Sequence, residues 1–386
     1  MPADEVTCPE CGAALAPGGS FCEACGHRLP WSETSSPGAA RTAVASSLAP
    51  PSACGKCTGT EFDAGGYCVA CGARRPCGAD HCELDLGEVA GVSDIGSRHH
   101  HNEDGMAVAV GDGFIVAVVC DGVSSSNRPD TASHSAADAA VRVLADQLAR
   151  TVHPPRPPAH TGADEVVTEP NAPEPAGAGE EPDTHPLSVS DARTTPLRPT
   201  PSVRAVTAAI GAAGDAAQAA ATLAAVPAGH DTLPNPPCTT FVTAVVTDRS
   251  LTVGWVGDSR AYWLPDPGTP DPPACLTIDD TLAGQLAAAG VPVSLDLPNA
   301  GALMRWLGAD AVDTRPHTAT LTPSGPGRVV VCSDGLYRYL PDAEDLAAAT
   351  PEGTAYEVAA TMVAFALRNG GHDNVSVVVM PYPAKP

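Results

Sequence analysis

An apolar run that stops abruptly at an acid is the feature that most constrains how this chain can fold. Residues 114–120 are rich in Val, Ile and Ala, and this composition predicts a buried strand. Asp121 and Gly122 follow the run directly. A buried carboxylate without a partner is costly, so Asp121 requires one. Gly122 allows a sharp turn and leaves its own carbonyl group approachable.

Several other acids also adjoin predicted strands. They are Asp258 after residues 251–257, Asp334 after residues 328–333, Asp373 before residues 375–380, and the pair Glu103 and Asp104. Asp-Gly and Asp-Asn pairs commonly form turns, and a turn is a sufficient explanation for any one of these acids. Their recurrence at several strand ends favours a shared metal site.

Two cysteine quartets in the N-terminal part have the spacing of metal sites. The first is Cys8, Cys11, Cys22 and Cys25, and the second is Cys54, Cys57, Cys68 and Cys71. Each contains two Cys-x2-Cys pairs separated by ten residues, and the second repeats the first 46 residues later. Four thiolates with this spacing can surround one tetrahedral Zn²⁺, so we predict two zinc ions. An iron–sulfur site or a redox dithiol is the alternative.

The remaining cysteines are interpreted as structural. Cys77, His81 and Cys82 resemble half of a metal site, but no second pair accompanies them, so they are incidental or spare ligands. Three thiols on or beside apolar strands are expected in the core: Cys120, Cys238 and Cys332. No Cys-x5-Arg run is present, which argues against a cysteine phosphatase.

The charge balance limits the classes of partner. A formal net charge of −24 argues against a nucleic-acid-binding ribbon protein or a membrane-surface binder, because such proteins are normally basic. The sequence has no signal-type segment and no apolar run of transmembrane length, so we expect a cytoplasmic protein. The cysteines then indicate metal binding by reduced thiols.

Composition also predicts the domain organisation. The expected order is a zinc ribbon at residues 1–33, a flexible linker at 34–51, a second zinc ribbon at 52–82 and a main domain at 83–386. A segment rich in Pro, Thr and acids, at about residues 151–200, is expected to be a disordered insertion in the main domain.

Hydrophobic periodicity predicts an α+β main domain. Strands are expected at residues 89–95, 107–110, 239–247, 251–264, 328–332 and 375–381. Helices are expected at residues 131–150, 203–225, 281–289, 342–349 and 355–369, with another short piece at 302–307. The expected N-cap of the first helix is Asp130 or Thr131. Strands outside a βαβ rhythm favour a layered α+β structure.

Seven segments together resemble the metal-dependent protein serine/threonine phosphatases of type 2C. They are residues 94–104, 119–122, 238–240, 257–262, 276–280, 332–336 and 371–375, and they occur in the family order between about residues 85 and 381. The resemblance implies a four-layer α-β-β-α sandwich of two antiparallel sheets flanked by helices. It also implies a metal centre at one end of the sheets.

The resemblance assigns roles to the acids. Asp121 would bridge two Mg²⁺ or Mn²⁺ ions, with Asp334 and Asp373 completing the first ion and the Gly122 carbonyl on the second. Glu103 and Asp104 would act mostly through ordered waters, and Asp258 would share a third, weaker ion with Asp334. All these donors are hard oxygens, which favour Mg²⁺ or Mn²⁺. Two such ions can activate a bridging water for attack on phosphorus.

Three positions depart from the family pattern. One is Met304, which replaces the Thr of a Thr-Arg-x-Leu-Gly stretch, and Arg305 beside it is interpreted as a structural or flap residue. Many members have a phosphate-binding arginine three residues after the glycine of the first motif, where this chain has His99. Either His99 or the preceding Arg98 is therefore the candidate for binding phosphate. Animal members have a histidine, proposed as the general acid, where this chain has Val123.

The leading hypothesis is hydrolysis of phosphoserine and phosphothreonine in proteins, with two or three Mg²⁺ or Mn²⁺ ions and two Zn²⁺ ions. The alternative is a non-catalytic adaptor that uses the same fold to bind phosphoproteins, which the altered arginine position suggests. The expected partners are phosphorylated protein substrates and a Ser/Thr kinase or regulator docked through the zinc ribbons.

Overall fold

The fold is seen in a computed structural model that describes residues 42–48, 54, 57, 59–63, 67–72, 78, 80–153, 200–225, 235–291 and 299–383. The first cysteine quartet lies outside the described residues, as do residues 154–199 of the predicted insertion.

The described residues form strands and helices in alternating groups. The strands are β1 (Ala43–Ser46), β2 (His81–Asp85), β3 (Ala90–Asp94), β4 (Asp104–Gly111), β5 (Phe114–Asp121), β6 (Cys238–Thr239), β7 (Phe241–Thr247), β8 (Leu251–Val256), β9 (Arg260–Pro265), β10 (Ala274–Cys275), β11 (Leu307–Gly308), β12 (His317–Leu321), β13 (Gly327–Cys332) and β14 (Val375–Tyr382). The helices are α1 (Pro129–Val152), α2 (Val203–Ala224), α3 (Leu282–Ala288), α4 (Asp334–Tyr337), α5 (Ala343–Ala349) and α6 (Ala355–Arg368).

Two six-stranded sheets organise the domain. The first has the order β1-β4-β5-β7-β8-β12, and the second has the order β10-β9-β13-β14-β3-β2. All the pairings within them are antiparallel. A separate short pairing joins β6 to β11.

Three apolar layers hold the sheets and helices together. The first lies between the two sheets and contains Met106 and Trp263. The second lies between the first sheet and helices α1 and α2, where Leu144 and Ile210 are fully buried. The third packs α6 and its neighbours on the second sheet around Leu336. The predicted four-layer α-β-β-α sandwich is therefore confirmed.

Strand β5 shows how the sequence produces this layering. Side chains alternate between the two faces of a strand. Ile115, Ala117 and Val119 accordingly contribute to the layer between the sheets. The residues between them, such as Val116 and Val118, pack against the helices. Because both faces of β5 are covered, its sequence is apolar throughout rather than alternating.

Gly257 divides a segment that the sequence predicts to be one strand. The predicted strand at residues 251–264 is wrong, because β8 ends at Val256 and β9 begins at Arg260 in the other sheet. Gly257 has a φ of 105°, and a Cβ there would lie 2.8 Å from the Thr240 side chain. A residue with a side chain would be strained at this crossing, so glycine permits the change of sheet.

Other boundaries also differ from the predicted ones. The predicted short element at residues 302–307 is not a helix, and β12 was not predicted. Helix α1 begins at Pro129, so the N-cap is Arg128, which has a left-handed φ of 52° and makes no side-chain capping bond. Asp130 and Thr131 lie inside the helix, and neither has the predicted role. Within the described residues, no helix combines the length and apolarity that crossing a membrane requires.

The predicted flexible linker at residues 34–51 is wrong for residues 43–46, because they form β1. This strand pairs with β4 at the outer edge of the first sheet. Strand β2 lies at the outer edge of the second sheet. The second cysteine quartet falls between β1 and β2 in the chain, so this segment is joined at both ends to the sandwich.

Candidate metal centre and its surroundings

Five carboxylates are brought towards one another by elements of both sheets. They are Asp104 at the start of β4, Asp121 at the end of β5, Asp258 in the turn after β8, Asp334 at the start of α4 and Asp373 in the loop before β14. Burial, and then the charges of the other four acids, raise the pKa of Asp121 well above its usual value. The sequence-predicted acids therefore form one electrostatic group.

Asp104 is the most deeply buried of these acids, with a relative exposure of 1%. Its Oδ2 accepts a hydrogen bond of 2.7 Å from the Ser333 hydroxyl. Its Oδ1 is buried and has no hydrogen-bond partner among the described residues. Burial, and then repulsion from Asp334 and Asp373, raise its pKa to about 7. A buried oxygen without a partner is the kind of atom that a cation or a bound water satisfies.

The carboxyl groups of Asp258 and Asp334 also have raised pKa values. Burial, and then the charge of Asp334, raise the pKa of Asp258 to about 7. Burial, and then the charge of Asp373, raise the pKa of Asp334 to about 6. Neighbouring carboxylates raise one another's pKa because their negative charges repel, and divalent cations remove that repulsion. The donor set therefore fits hard divalent cations.

No three of these carboxylates have oxygen atoms within 4.8 Å of one another. Among the described residues, one group of three or more His, Cys, Asp or Glu side chains has ligand atoms within 4.8 Å of one another, and it consists of cysteines. The acids therefore do not converge on one point. This spread is compatible with more than one ion and with water molecules completing their coordination.

Asp121 is held by hydrogen bonds from neighbouring threonines. Its backbone N–H donates to the Thr240 hydroxyl at 2.9 Å, and its carbonyl accepts from the Thr240 N–H at 2.8 Å. The Thr239 hydroxyl also donates to the Asp121 carbonyl at 2.9 Å. Since these bonds fix the backbone at the end of β5, the carboxylate is oriented before any ligand arrives.

Gly122 lies where the backbone is crowded. Its N–H donates to the Glu103 carbonyl at 3.1 Å. A Cβ at Gly122 would lie 2.6 Å from that carbonyl oxygen. The Glu103 side chain accepts a hydrogen bond of 2.5 Å from the Ser124 hydroxyl. The two predicted ligands are thus adjacent, and glycine is required for their close approach.

Asn374 is a positioning residue that the sequence interpretation missed. Its side-chain oxygen accepts from the Glu103 N–H at 2.8 Å. Its amide donates to the Ile95 carbonyl at 2.8 Å and to the His101 carbonyl at 3.1 Å. Asn374 is 3% exposed, so these bonds form away from water. Its position next to Asp373 was the available signal, but its partners are distant in sequence.

The sequence of residues 94–365 matches the profile of the family described as Protein phosphatase 2C. The chain belongs to the protein phosphatase 2C family. The acids described above lie within or next to the matched region, at the same end of the sandwich.

Relatives of this phosphatase 2C chain include one curated protein and several solved structures. Serine/threonine phosphatase stp of Listeria innocua serovar 6a is 29% identical over 145 residues. That alignment covers 37% of this chain and 56% of the relative, so it spans little more than half of the relative's length.

Two solved structures share the fold. The S. agalactiae serine/threonine phosphatase has 17% identity and a TM-score of 0.51, and the match covers 76% of this chain and 98% of that chain. A bacterial serine phosphatase has 18% identity and a TM-score of 0.51, with coverage of 78% and 99%. At this level of identity the likeness supports the fold of the phosphatase 2C domain.

The two predicted phosphate-binding residues of this phosphatase 2C chain have different partners. His99 Nε2 lies 3.0 Å from Asp373 Oδ1, so the imidazole is directed at a predicted metal ligand. Arg98 extends towards His372, and its guanidinium lies 3.3 Å from His372 Nε2. Within the part of the chain that the structure describes, neither residue forms a hydrogen bond or an ion pair with Asp121 or Asp334.

Arg338 is a second residue that the sequence interpretation missed. Its guanidinium lies 3.7 Å from Asp334 Oδ2 and 3.9 Å from Asp373 Oδ2. The side chain is 50% exposed. Its sequence signal is weak, because a basic residue four positions after an acid on a helix is common. Its closeness to Asp373 comes only from the tertiary structure.

The second cysteine quartet forms a separate candidate metal site. The sulfur atoms of Cys54, Cys57, Cys68 and Cys71 lie within 4.8 Å of one another. The Cys54–Cys71 and Cys57–Cys68 sulfur pairs are each separated by 3.5 Å, too far for disulfides. A tetrahedral Zn²⁺ with bonds of about 2.3 Å requires sulfur separations of about 3.8 Å. The quartet therefore fits zinc.

Of Cys77, His81 and Cys82, the structure describes His81 and Cys82, and both are engaged with other partners. Both ring nitrogens of His81 are engaged, Nδ1 with Asp94 at 2.8 Å and Nε2 with Glu83 at 3.0 Å. Cys82 is buried and disulfide-bonded, so its sulfur is not a free ligand. Of the two interpretations, spare zinc ligands and incidental residues, the first is therefore wrong for His81 and Cys82.

The three core thiols are located as predicted. Cys120 and Cys332 are fully buried, and Cys238 is 7% exposed. Burial raises the pKa of all three thiols. Because the thiolate is the reactive form, these residues are poor nucleophiles.

Proposed function

We propose that this chain is a protein serine/threonine phosphatase that requires Mg²⁺ or Mn²⁺ and hydrolyses phosphoserine and phosphothreonine in proteins. The observation that carries the proposal is that acids from both sheets gather at one end of the sandwich, where a buried Asp104 oxygen has no hydrogen-bond partner among the described residues. Such a group of acids is stabilised by divalent cations. Membership of the protein phosphatase 2C family supports the same function.

The proposed ligands divide between the ions as follows. Asp121, Asp334, Asp373 and the Gly122 carbonyl would hold two ions, with Asp121 contributing to both. Glu103 and Asp104 would support them through ordered waters, and Asp258 with Asp334 would hold a third, weaker ion. When bound, Mg²⁺ or Mn²⁺ in such a site makes water nucleophilic near neutral pH and offsets the charge of the phosphoryl group.

The residues of the chain contribute orientation. Thr240 fixes the backbone of Asp121, and Asn374 fixes the backbone of Glu103. Ser333 orients the Asp104 carboxylate by a hydrogen bond of 2.7 Å. Positioning of this kind contributes to catalysis because the reacting groups need not reorganise during the reaction. The buried thiols argue against a covalent cysteine mechanism.

We propose separately that each cysteine quartet holds one structural Zn²⁺. The sulfur separations in the second quartet support this assignment. The same spacing in the first quartet extends it to Cys8, Cys11, Cys22 and Cys25. The two ribbons are proposed to dock a protein partner, such as a Ser/Thr kinase or a regulator of the same pathway.

The test is hydrolysis of a phosphothreonine peptide by the purified chain, with Mn²⁺ and with chelator, alongside total bound zinc. We expect Mn²⁺-dependent turnover and about two zinc ions per chain. Asp121→Asn is expected to reduce turnover by about 100-fold or more. Asp146→Asn, on an exposed part of α1, is the matched control. Peptide binding without turnover under any divalent cation would instead support the phosphoprotein-binding adaptor.

A further inference from the structure

Arg338 has an unusual position for an arginine beside acids. It lies between 3.7 and 3.9 Å from two carboxylates of the candidate metal centre, Asp334 and Asp373. These separations are too long for hydrogen bonds. Its guanidinium is ion-paired with both carboxylates at these separations, and half of its side chain is exposed. Arg338 therefore lies at the solvent-facing edge of the acid group, with a loose ion pair to each of two carboxylates.

Other arginines with an acid four residues earlier behave differently. Arg142 bonds Asp138 at 2.8 Å, and Arg150 bonds Asp146 at 3.0 Å. Arg338 has the same spacing from Asp334, yet it does not close to hydrogen-bond distance. An arginine that served only to pair with the preceding acid would be expected to close in the same way. Its position between two carboxylates calls for another explanation.

The two residues in the first motif are less suited to bind phosphate. His99 is directed at Asp373 Oδ1, at 3.0 Å. Arg98 lies against His372, whose backbone N–H is in turn held by the Tyr339 hydroxyl at 3.1 Å. The planar guanidinium of Arg338 is half-exposed and its ion pairs are long, so it can turn to offer two parallel donors to phosphate oxygens.

We propose that Arg338 binds a phosphoryl oxygen of the substrate and so supplies the guanidinium that the first motif lacks at His99. The inference rests on the proposed phosphatase function and identifies one residue of its substrate site. Cations held by Asp334 and Asp373 would repel Arg338, whereas a phosphate dianion would attract both. Arg338 would therefore contribute to binding when phosphate is present.

The experiment measures binding of inorganic phosphate to the Mn²⁺-loaded full chain by isothermal titration calorimetry. Wild type is compared with Arg338→Ala, Arg338→Lys, Arg98→Ala and the exposed control Arg150→Ala. Mn²⁺ affinity is measured for each variant in the absence of phosphate, and circular dichroism checks folding. Peptide turnover, with KM and kcat separated, is measured in parallel.

We expect Arg338→Ala to weaken phosphate binding by about 10- to 100-fold. Arg338→Lys should have an intermediate effect because it retains the charge and loses the paired donors. Mn²⁺ affinity should be unchanged or higher, because a competing cation is removed. KM for the peptide should rise, and Arg150→Ala should resemble wild type.

Each of the following results would overturn the inference. They are phosphate affinity unchanged by Arg338→Ala, a loss of phosphate affinity confined to Arg98→Ala, and a loss of Mn²⁺ affinity in Arg338→Ala that accounts for the whole effect. A wild type that binds no phosphate would also overturn it. Phosphate binding through Arg338 without any peptide turnover would contradict the proposed function alone. Normal peptide turnover by the wild type, together with an unchanged phosphate affinity and KM in Arg338→Ala, would contradict the inference alone.

Discussion

Asp104 and Asp121 lie directly opposite each other on the neighbouring antiparallel strands β4 and β5. Like charges in this arrangement destabilise a sheet. This repulsion destabilises the metal-free protein, because bound divalent cations would remove it. The two acids therefore link the cation requirement of the site to the stability of the first sheet.

The first prediction is that Asp104→Asn stabilises the metal-free protein at pH 8. The pKa of Asp104 is raised from 3.8 to about 7, so ionisation destabilises the fold increasingly as pH rises from about 4 to 7. The destabilisation is then complete above pH 7. Removing it should add on the order of 1–3 kcal/mol to the free energy of unfolding.

Thermal unfolding in EDTA at pH 4 and pH 8 measures this effect. The stabilisation should be large at pH 8 and small at pH 4. The same substitution should reduce the stabilisation that Mn²⁺ gives. Asp146→Asn is the control, because Asp146 is exposed on α1. A lower melting temperature for Asp104→Asn at pH 8 in EDTA would contradict the prediction.

The second prediction concerns Asn374, whose side chain makes three hydrogen bonds to backbone groups around the first motif. Asn374→Ala should lower the free energy of unfolding by about 2–4 kcal/mol, because buried backbone groups lose their partners. It should also lower kcat, since Glu103 is no longer held. Urea unfolding and peptide turnover test both effects.

The matched control for Asn374 is Asn369→Ala. Asn369 also bonds a backbone carbonyl, that of Phe365, at 2.8 Å, but it lies at the exposed end of α6. Its loss should change stability by less than about 1 kcal/mol. Equal effects of the two substitutions would exclude a special role for Asn374.

The third prediction is a loss of stability at alkaline pH that depends on His81. Hydrogen bonds to Asp94 and then Glu83 raise the pKa of His81 from 6.5 to about 9. The raised pKa means that this contribution is fully present below pH 6.5 and is lost as pH rises through 9. After allowance for solvent screening, the loss should be about 1–2 kcal/mol.

Urea unfolding of wild type and His81→Gln between pH 6 and 9.5 tests this prediction. Wild type should be the more stable protein at pH 6, and the two should converge above pH 9. Comparing the two removes the effect of other groups that titrate in both proteins. Parallel curves over the whole range would show that His81 does not carry the effect.

The fourth prediction is that Cys68→Ser removes one zinc ion per chain. Cys68 is 2% exposed within the second quartet, and serine is a poor ligand for zinc. Hydrogen exchange should become faster at residues 59–72 and remain slow in β5. Cys275→Ser is the control, because this exposed thiol lies outside the quartet. Unchanged zinc content in Cys68→Ser would contradict the assignment of this site.

The sequence predicts the central strands well because a strand buried on both faces consists almost entirely of apolar residues. β5 and β13 are covered on both faces and are almost wholly apolar. β1 and β12 are less predictable. β1 has four residues in a stretch rich in Ser and Ala, and β12 is largely exposed. Both depend on pairing with β4 and β8, which local sequence does not encode.

The candidate site divides in the same way. The sequence predicts the acids because each follows or precedes a recognisable strand. It does not predict Asn374 and Arg338 as functional residues. Asn374 bonds Glu103 across 271 positions of sequence, and Arg338 meets Asp373 only in the folded domain. A residue that positions another through such distant contacts cannot be recognised from the residues next to it in the sequence.

The location of β1 has a consequence for any attempt to divide the protein into modules. A chain cut at residue 83 would begin inside the folded unit and would lack β1 and part of β2. The exposed backbone of β4 would then be open to pairing with another molecule, which is a recognised route to aggregation. The second cysteine quartet is therefore inseparable from the sandwich, and poor solubility of such a fragment would reflect a missing edge rather than an unstable core.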